Sequence, residues 1–326
     1  MTATTPGRTD SLVDVVGLSV GHHHELDADA ALGRGAATGC TVVLAPCGAT
    51  GAVDVRGGGP GTRETDLLDP SHSVRKVHAI VLTGGGESVR AAVIFDLPVG
   101  DWRRRPTAEF GYRAADSASH TVLSGSVGAG VGARAGALKG GVGTASVVVT
   151  DGPAKGITVS ALMVANPVGT VFDPATGLPW GVATVGAAAF GLRPPDAAEV
   201  SAARELIAKS TVLNTTIGVV ATDAVLGKAA LRRVAVAGHD GLARAIRPAH
   251  SPLDGDTIFA LSTGIHPVHH PPGVPDAFPP DLPVVDAVCT AAAEVVEKAI
   301  VDAVLSATPV AGIPTYRELF PSALRS

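Results

Sequence analysis

Aromatic residues are scarce in this 326-residue chain, which holds seven Phe, two Tyr and two Trp. An interior with so few large rings has to be filled by Val, Ala, Leu and Ile. The three cysteines, Cys40, Cys47 and Cys289, are odd in number and too sparse for a disulfide framework or a zinc site. Their scarcity points to a reducing, cytoplasmic compartment. An excess of positive charge is also missing: 25 Lys and Arg stand against 30 Asp and Glu, a net charge of −5, which leaves no electrostatic footprint for nucleic acid or an anionic membrane. No apolar run reaches membrane-spanning length, and the polar opening MTATTPGRTD is not a signal peptide. There is no collagen-like glycine period and no repeat of fixed length.

Glycine and proline are plentiful, at 40 and 24 residues, and they cut the chain into short apolar runs. Residues 13–20, 41–45, 52–55, 77–83 and 157–164 are β-branched, four to eight residues long and bounded by Gly or Pro, as strands are. Helical patterns gather in the second half: one opened by Pro195 and running to Leu206, one over 224–246, and the longest over 284–305. Residues 267–283, with seven prolines, read as a loop. Strands and helices in mixed order, without regular βαβ alternation, argue for a layered α+β fold rather than a doubly wound sheet.

Several tempting motifs fail on spacing. The glycine clusters at 57–59, 84–86 and 125–143 match neither GxGxxG between a strand and a helix nor a GxxxxGK loop, so tight turns and close backbone packing explain them better than a nucleotide. His22, His23 and His24, read as a turn, and His266, His269 and His270 show no HExxH spacing and suit surface or capping positions better than a metal. Gly125-Ser126-Val127-Gly128 is not a nucleophile elbow. Cys289 falls in a predicted helix, where a small buried thiol is ordinary. No cofactor is called for.

The informative stretch is 211–224, TVLNTTIGVVATDA. Asn214, Thr215 and Thr216 lead directly into a strand-like run, which by itself is an ordinary turn opening a strand. The functional alternative is a self-cleavage site. Attack by Thr215 Oγ1 on the carbonyl of Asn214, followed by hydrolysis, frees a chain whose first residue carries a hydroxyl beside its own α-amino group. With a pKa of roughly 7.7–8.0 that amine is a usable base for a weak nucleophile. Four further residues gain meaning beside it. Asp254 and Asp256 flank Gly255 in a turn ahead of a strand at 258–261, as either a solvated turn or a pair that orients an ammonium. Lys139 is a lone cation in an apolar, glycine-rich stretch, either reaching solvent or held in a site. Asn166 ends the 157–164 strand, and either caps a turn or offers its amide to an oxyanion.

The segments GLSVGH (17–22), AVDVRGGGPGTR (52–63), IFDLPV (94–99), AGALKGGVGTAS (135–146), ANPVG (165–169), NTTIGVVATD (214–223) and AIRPAHSPLDGDTIFAL (245–261) together resemble the DmpA-like L-aminopeptidase/D-esterase family. These are autoprocessing N-terminal-nucleophile hydrolases that include β-aminopeptidases and nylon-oligomer hydrolase. The resemblance implies a four-layer αββα sandwich, a single α+β domain over 1–326 cleaved into 1–214 and 215–326, and a homo-oligomer, often a tetramer. It makes Thr215 the nucleophile, Asn214–Thr215 the processing bond, Asn166 the oxyanion donor, Lys139 a lysine near the nucleophile, and Asp254 and Asp256 the pair supporting hydroxyl and amine. Small peptides, amides or esters are the implied substrates. Relatives carry a GG-small-aromatic-Gly-Leu motif and then a helix of roughly thirty residues before the IFDLPV stretch. Here only residues 86–90 stand between Gly85 and Ala91, and the aromatic residue has no counterpart. A non-catalytic oligomeric scaffold that has lost its pocket helix, and an acyltransferase on a processed-threonine scaffold, are the rival expectations.

Overall fold

A computed structural model describes residues 2–85, 92–207, 214–268 and 272–324. The shortened stretch at 86–90, residues 211–213 and His269 and His270 lie outside them. Among the described residues the strands are β1 (Thr4–Pro6), β2 (Ser19–Leu26), β3 (Ala37–Val55), β4 (Val77–Thr83), β5 (Ala92–Val93), β6 (Arg134–Ala135), β7 (Leu138–Lys139), β8 (Gly141–Val149), β9 (Thr158–Ala165), β10 (Ile217–Ala224) and β11 (Thr257–His266). The α-helices are α1 (Ala108–Asp116), α2 (Ala197–Ile207), α3 (Lys228–Ala245), α4 (Leu282–Leu305) and α5 (Tyr316–Leu319).

Hydrogen bonds link the strands in the order β1-β8-β9-β10-β11-β3-β4-β5, with β2 also on β3, while β6 and β7 form a separate pair. The long β3 belongs to two layers. Cys40–Leu44 pairs with β2 and β4, and residues 50–55 pair with β11. Side chains alternate across each layer with the two-residue period of a strand. Ile217, Val219 and Ala221 of β10 and Leu162 and Val164 of β9 face Val43, Ile80 and Leu82 of the second layer. Val220, Ala161 and Met163 point the other way, against Val234 and Leu242 of α3 and Val288, Val295 and Ile300 of α4. Phe110 and Ala114 of α1 cover Cys40 and Val42 on the far side. Helix, sheet, sheet, helix is the expected αββα order. Each fully buried Val, Leu or Ile in these seams contributes roughly 1.5–3 kcal/mol.

All eight residues of β10 are buried, which is why its sequence is nearly continuous in apolar and small residues. It runs antiparallel to β9 and parallel to β11, and α3 supplies the crossover that a parallel pair requires.

Several sequence expectations need correction. Residues 13–20 are not one strand: Leu12–Asp14 form a 3-10 turn and β2 begins at Ser19. The Asp14 carboxylate accepts the Thr9 and Ser11 N–H groups and the Ser146 hydroxyl, and this local competition overrides the β-branched run. The runs at 41–45 and 52–55 are one strand, whose register shifts between Leu44 and Ala49 around Pro46. The helix expected over 224–246 starts only at Lys228, because β10 continues to Ala224. His22, His23 and His24 lie in β2 rather than in a turn, with His23 edge-on to Phe110 at 4.9 Å.

Candidate active site

Strand register gathers the five sequence candidates at one end of the central sheet. Ile217 at the start of β10 pairs with Val164 near the end of β9 and with Thr257 at the start of β11. Thr215 therefore sits beside Asn166, which follows β9, and beside Asp254 and Asp256, which lead into β11. Gly141, two residues after Lys139, pairs with Ala165, so β7 ends at the same place. Val55 pairs with Thr257, which adds the glycine run at 57–59. Residues far apart in the chain are thus brought to one place by strand register.

Thr215 is 4% exposed and Thr216 wholly buried. The Thr215 hydroxyl donates to the carbonyl oxygen of Asn214, the bond partner ahead of it. Its backbone N–H donates to the Asn166 carbonyl at 2.7 Å. Asn214 is pinned on both sides, through Nδ2 to the Pro167 carbonyl at 2.8 Å and through N–H to the Leu253 carbonyl at 3.3 Å. The 214–215 peptide is thus held from both flanks with the hydroxyl lying against its carbonyl. Gly255 permits this approach. A Cβ there would come within 2.8 Å of Thr215 Oγ1 and 2.7 Å of the Gly59 carbonyl. A Cβ at Gly57 would collide with the backbone of Asp254 and Asp256, so this glycine run packs on the acidic turn.

The turn is not solvated: Asp254 is 1% and Asp256 2% exposed. The two carboxylates differ in what they hold. Asp256 Oδ1 accepts Thr216 N–H at 2.9 Å, and Oδ2 accepts two donors from His250. Asp254 Oδ1 accepts Val168 N–H at 3.0 Å, while its buried Oδ2 has no partner among the described residues. Burial, and next the Asp256 charge, push the Asp254 carboxyl up to about 6. A carboxyl raised from 3.8 in the unfolded chain to about 6 contributes stability below pH 4 that is lost as pH rises through about 6. In uncleaved protein, Asp254→Asn should remove a stability decline of about 1–3 kcal/mol across that window. Thermal midpoints of both chains between pH 4 and 7 check this. An equal slope in the variant would assign the titration to another group.

Lys139 is fully buried and does not reach solvent. Its three ammonium protons go to the carbonyls of Gly130, Ala133 and Gly140 at 2.7, 2.9 and 2.8 Å. No donor is left for Thr215. Burial pushes this ammonium down to about 7 against the opposing pull of the Asp96 charge. Lys139 is linked to Thr215 indirectly. It ties down the segment ending at Arg134, whose N–H donates to Asn166 Oδ1 at 2.7 Å. Asn166 Nδ2 reaches the Phe95 carbonyl at 3.4 Å, so the main-chain carbonyl, rather than the amide, is the part of Asn166 that touches Thr215.

Two participants were not picked out from the sequence. Asp96, within IFDLPV, is buried, accepts Thr38 Oγ1 and Gly85 N–H at 2.6 Å each, and is pushed up to about 6 by burial. His250 binds Asp256. A lone acid in an apolar run and a histidine six residues before an acid were the available signals, and both are weak. Among the described residues no three His, Cys, Asp or Glu converge as a metal site, and no helix is long and apolar enough to cross a membrane.

Peptidase family S58 matches residues 10–94 and 89–317. The chain belongs to peptidase family S58. An uncharacterised aminopeptidase of Mycobacterium tuberculosis is 52% identical over 349 aligned positions, covering 97% of this S58 chain and all of the relative. Those aligned positions outnumber the 326 residues present here, and the two family stretches meet at 89–94, beside the shortened segment. A β-aminopeptidase from a Burkholderia species superposes with a TM-score of 0.71 at 23% identity, over 98% of this chain and 94% of that one. The L-aminopeptidase D-Ala-esterase/amidase of Ochrobactrum anthropi, described as a variant of the Ntn-hydrolase fold, gives 0.68 at 22% over 94% and 89%. The fold is therefore that of the Ntn-hydrolase aminopeptidases, as the sequence resemblance implied.

Proposed function

We propose that this S58 chain is an aminopeptidase-type amide hydrolase that cuts its own 214–215 bond and then uses Thr215 as an N-terminal nucleophile. The observation that carries this is the buried Thr215 hydroxyl lying on the Asn214 carbonyl, with the same peptide's N–H fixed on Asn166. In the first step Oγ1 adds to the Asn214 carbonyl carbon, the C–N bond breaks, and the hydroxyl proton ends on the departing nitrogen. Water then hydrolyses the Asn214 ester and restores the hydroxyl. Chains 1–214 and 215–326 stay together, because β10 and β11 of the second remain paired with β9 and β3 of the first.

In turnover the freed α-amine takes the Oγ1 proton, Oγ1 adds to a substrate carbonyl, and the leaving amine takes up that proton. Water resolves the acyl-enzyme. The unpartnered Asp254 Oδ2 is the ready acceptor for the α-ammonium formed in each cycle, while Asp256 fixes the following peptide. Backbone N–H groups exposed by departure of the 214 end serve the oxyanion, while the Asn166 amide, held by the Arg134 N–H and the Phe95 carbonyl, fixes the main-chain carbonyl that meets Thr215.

The names of the relatives favour substrates with a free amino end. Purified protein should release p-nitroaniline from anilides of small amino acids and leave their N-acetylated forms untouched. Equal rates on both would remove the aminopeptidase assignment. A second reading, a scaffold without turnover, is favoured by the family match falling in two stretches that overlap at 89–94, where the chain is shortened. Self-cleavage with no hydrolysis of any anilide, amide or ester in such a panel would select it.

A further inference from the structure

We propose that His250 is a positioning residue for this reaction, acting through Asp256 to hold the peptide that follows the nucleophile; the proposal rests on Thr215 being that nucleophile. Asp256 has its oxygens committed in opposite directions. Oδ1 takes the N–H of Thr216 at 2.9 Å, and Oδ2 takes His250 Nδ1 at 2.8 Å and His250 N–H at 3.1 Å. A carboxylate fixed at both oxygens cannot turn about its Cβ–Cγ bond, so the start of β10 is anchored from the loop before β11. With the ring removed, Oδ2 keeps only the longer backbone contact, and Thr216 N–H loses a fixed acceptor. A shift of about 1 Å in a reacting group costs on the order of 100-fold in rate.

The surroundings hold the ring on this task. His250 has φ +55°, a left-handed conformation that L side chains adopt rarely and that persists where neighbours over-determine it. His239 lies edge-on to it, with centroids 4.8 Å apart at 70°, and is itself fully buried with Nε2 on the Asp54 carbonyl at 3.0 Å. Asp54 is near the end of β3, and its carboxylate binds Arg56 at 2.9 Å. His250 Nε2 has no partner among the described residues, so nothing competes with Asp256 for the ring, and the bond to Asp256 places the proton on Nδ1. The anchor therefore runs from β3 through α3 to the acidic turn and on to the first residues of β10.

Three variants separate this role from simple filling. His250→Gly tolerates the left-handed backbone, keeps the main-chain bond and deletes only the ring. His250→Asn also tolerates that backbone and places an amide nitrogen where Nδ1 stood, whereas His250→Gln places its nitrogen near Nε2. The rate of cleavage at 214–215 is followed by intact mass after cell-free synthesis, and kcat and KM are measured on processed protein. His250→Gly should slow cleavage and lower kcat by about 10–100-fold with KM little changed, as loss of an orienting partner does. His250→Asn should recover most of both rates and His250→Gln should not. Should the glycine chain not fold, the Asn–Gln comparison decides alone. Wild-type rates in His250→Gly, or equal impairment of the Asn and Gln variants, would overturn the role while leaving Thr215 in place. A wild-type chain that neither cleaves nor turns over substrate would instead overturn the nucleophile and this role together.

Discussion

Thr215→Ala should leave the chain uncut and lower amide turnover by on the order of 10⁴–10⁶-fold, the scale on which removal of an enzyme's nucleophile acts. In the proposed scheme the same oxygen serves both reactions, so one substitution should remove both. The folded state should be little affected. The residue lies just ahead of β10, whose pairing to β9 and β11 begins at Ile217, and among the described residues the hydroxyl donates only to its own neighbour. Loss of one such bond costs about 1 kcal/mol. Thr215→Ser retains the oxygen and should still cleave. Gel mobility and a continuous amide assay on both variants, with circular dichroism as a fold control, check the three statements. Full processing in Thr215→Ala would transfer the attacking role elsewhere.

Lys139→Met should lower stability and block self-cleavage together. Methionine matches the length and apolar stem of lysine but removes the donor shared by three carbonyls; Gly130 and Ala133 keep the N–H groups of Ala133 at 3.2 Å and Gly140 at 3.0 Å, so among the described residues the Gly140 carbonyl is the one left without a partner. An unsatisfied buried acceptor costs roughly 1–3 kcal/mol, and relief of the buried charge offsets part of the total. A net loss of about 1–2 kcal/mol is expected, read as a thermal midpoint lower by roughly 2–6 °C. Cleavage should fail in parallel, since the Arg134 N–H that orients Asn166 lies in the segment Lys139 holds. A lysine acting directly on substrate would give a different pattern, with turnover lost and the midpoint within about 1 °C of wild type. Thermal melts in the Thr215→Ala background separate the two, because neither chain is then cut.

Much of this site was legible in the sequence as separate segments, but its assembly was not. The Asn214-Thr215-Thr216 step, the paired acids around Gly255, the buried lysine and the strand-ending Asn166 each had an ordinary reading of their own. What joins them is the pairing of β8, β9, β10 and β11, and register is a tertiary property that a local pattern does not contain. Fold errors have the same origin. Pro46 and Gly48 were natural places to end a strand, yet β3 passes through them on a shift of register from one layer to the other. Alternation within β2 sends His23 toward Phe110 and His22 toward Thr41, where its Nδ1 lies 2.9 Å from the hydroxyl. Burial pushes His22 down to about 4, unlike the surface histidine that three in a row suggest. The role of Asp256 was visible only as half of a pair. Its division of labour with Asp254 depends on which oxygen meets which N–H, and that became clear only with His250 in place.

The most direct measurement is the intact mass of freshly folded wild-type protein together with the N-terminal sequence of each chain in it. Two chains are expected, the second beginning Thr215-Thr216-Ile217, eluting as one species under native conditions and separating under denaturing ones. A single uncut chain that hydrolyses amides equally well with alanine at position 215 would contradict the central claim.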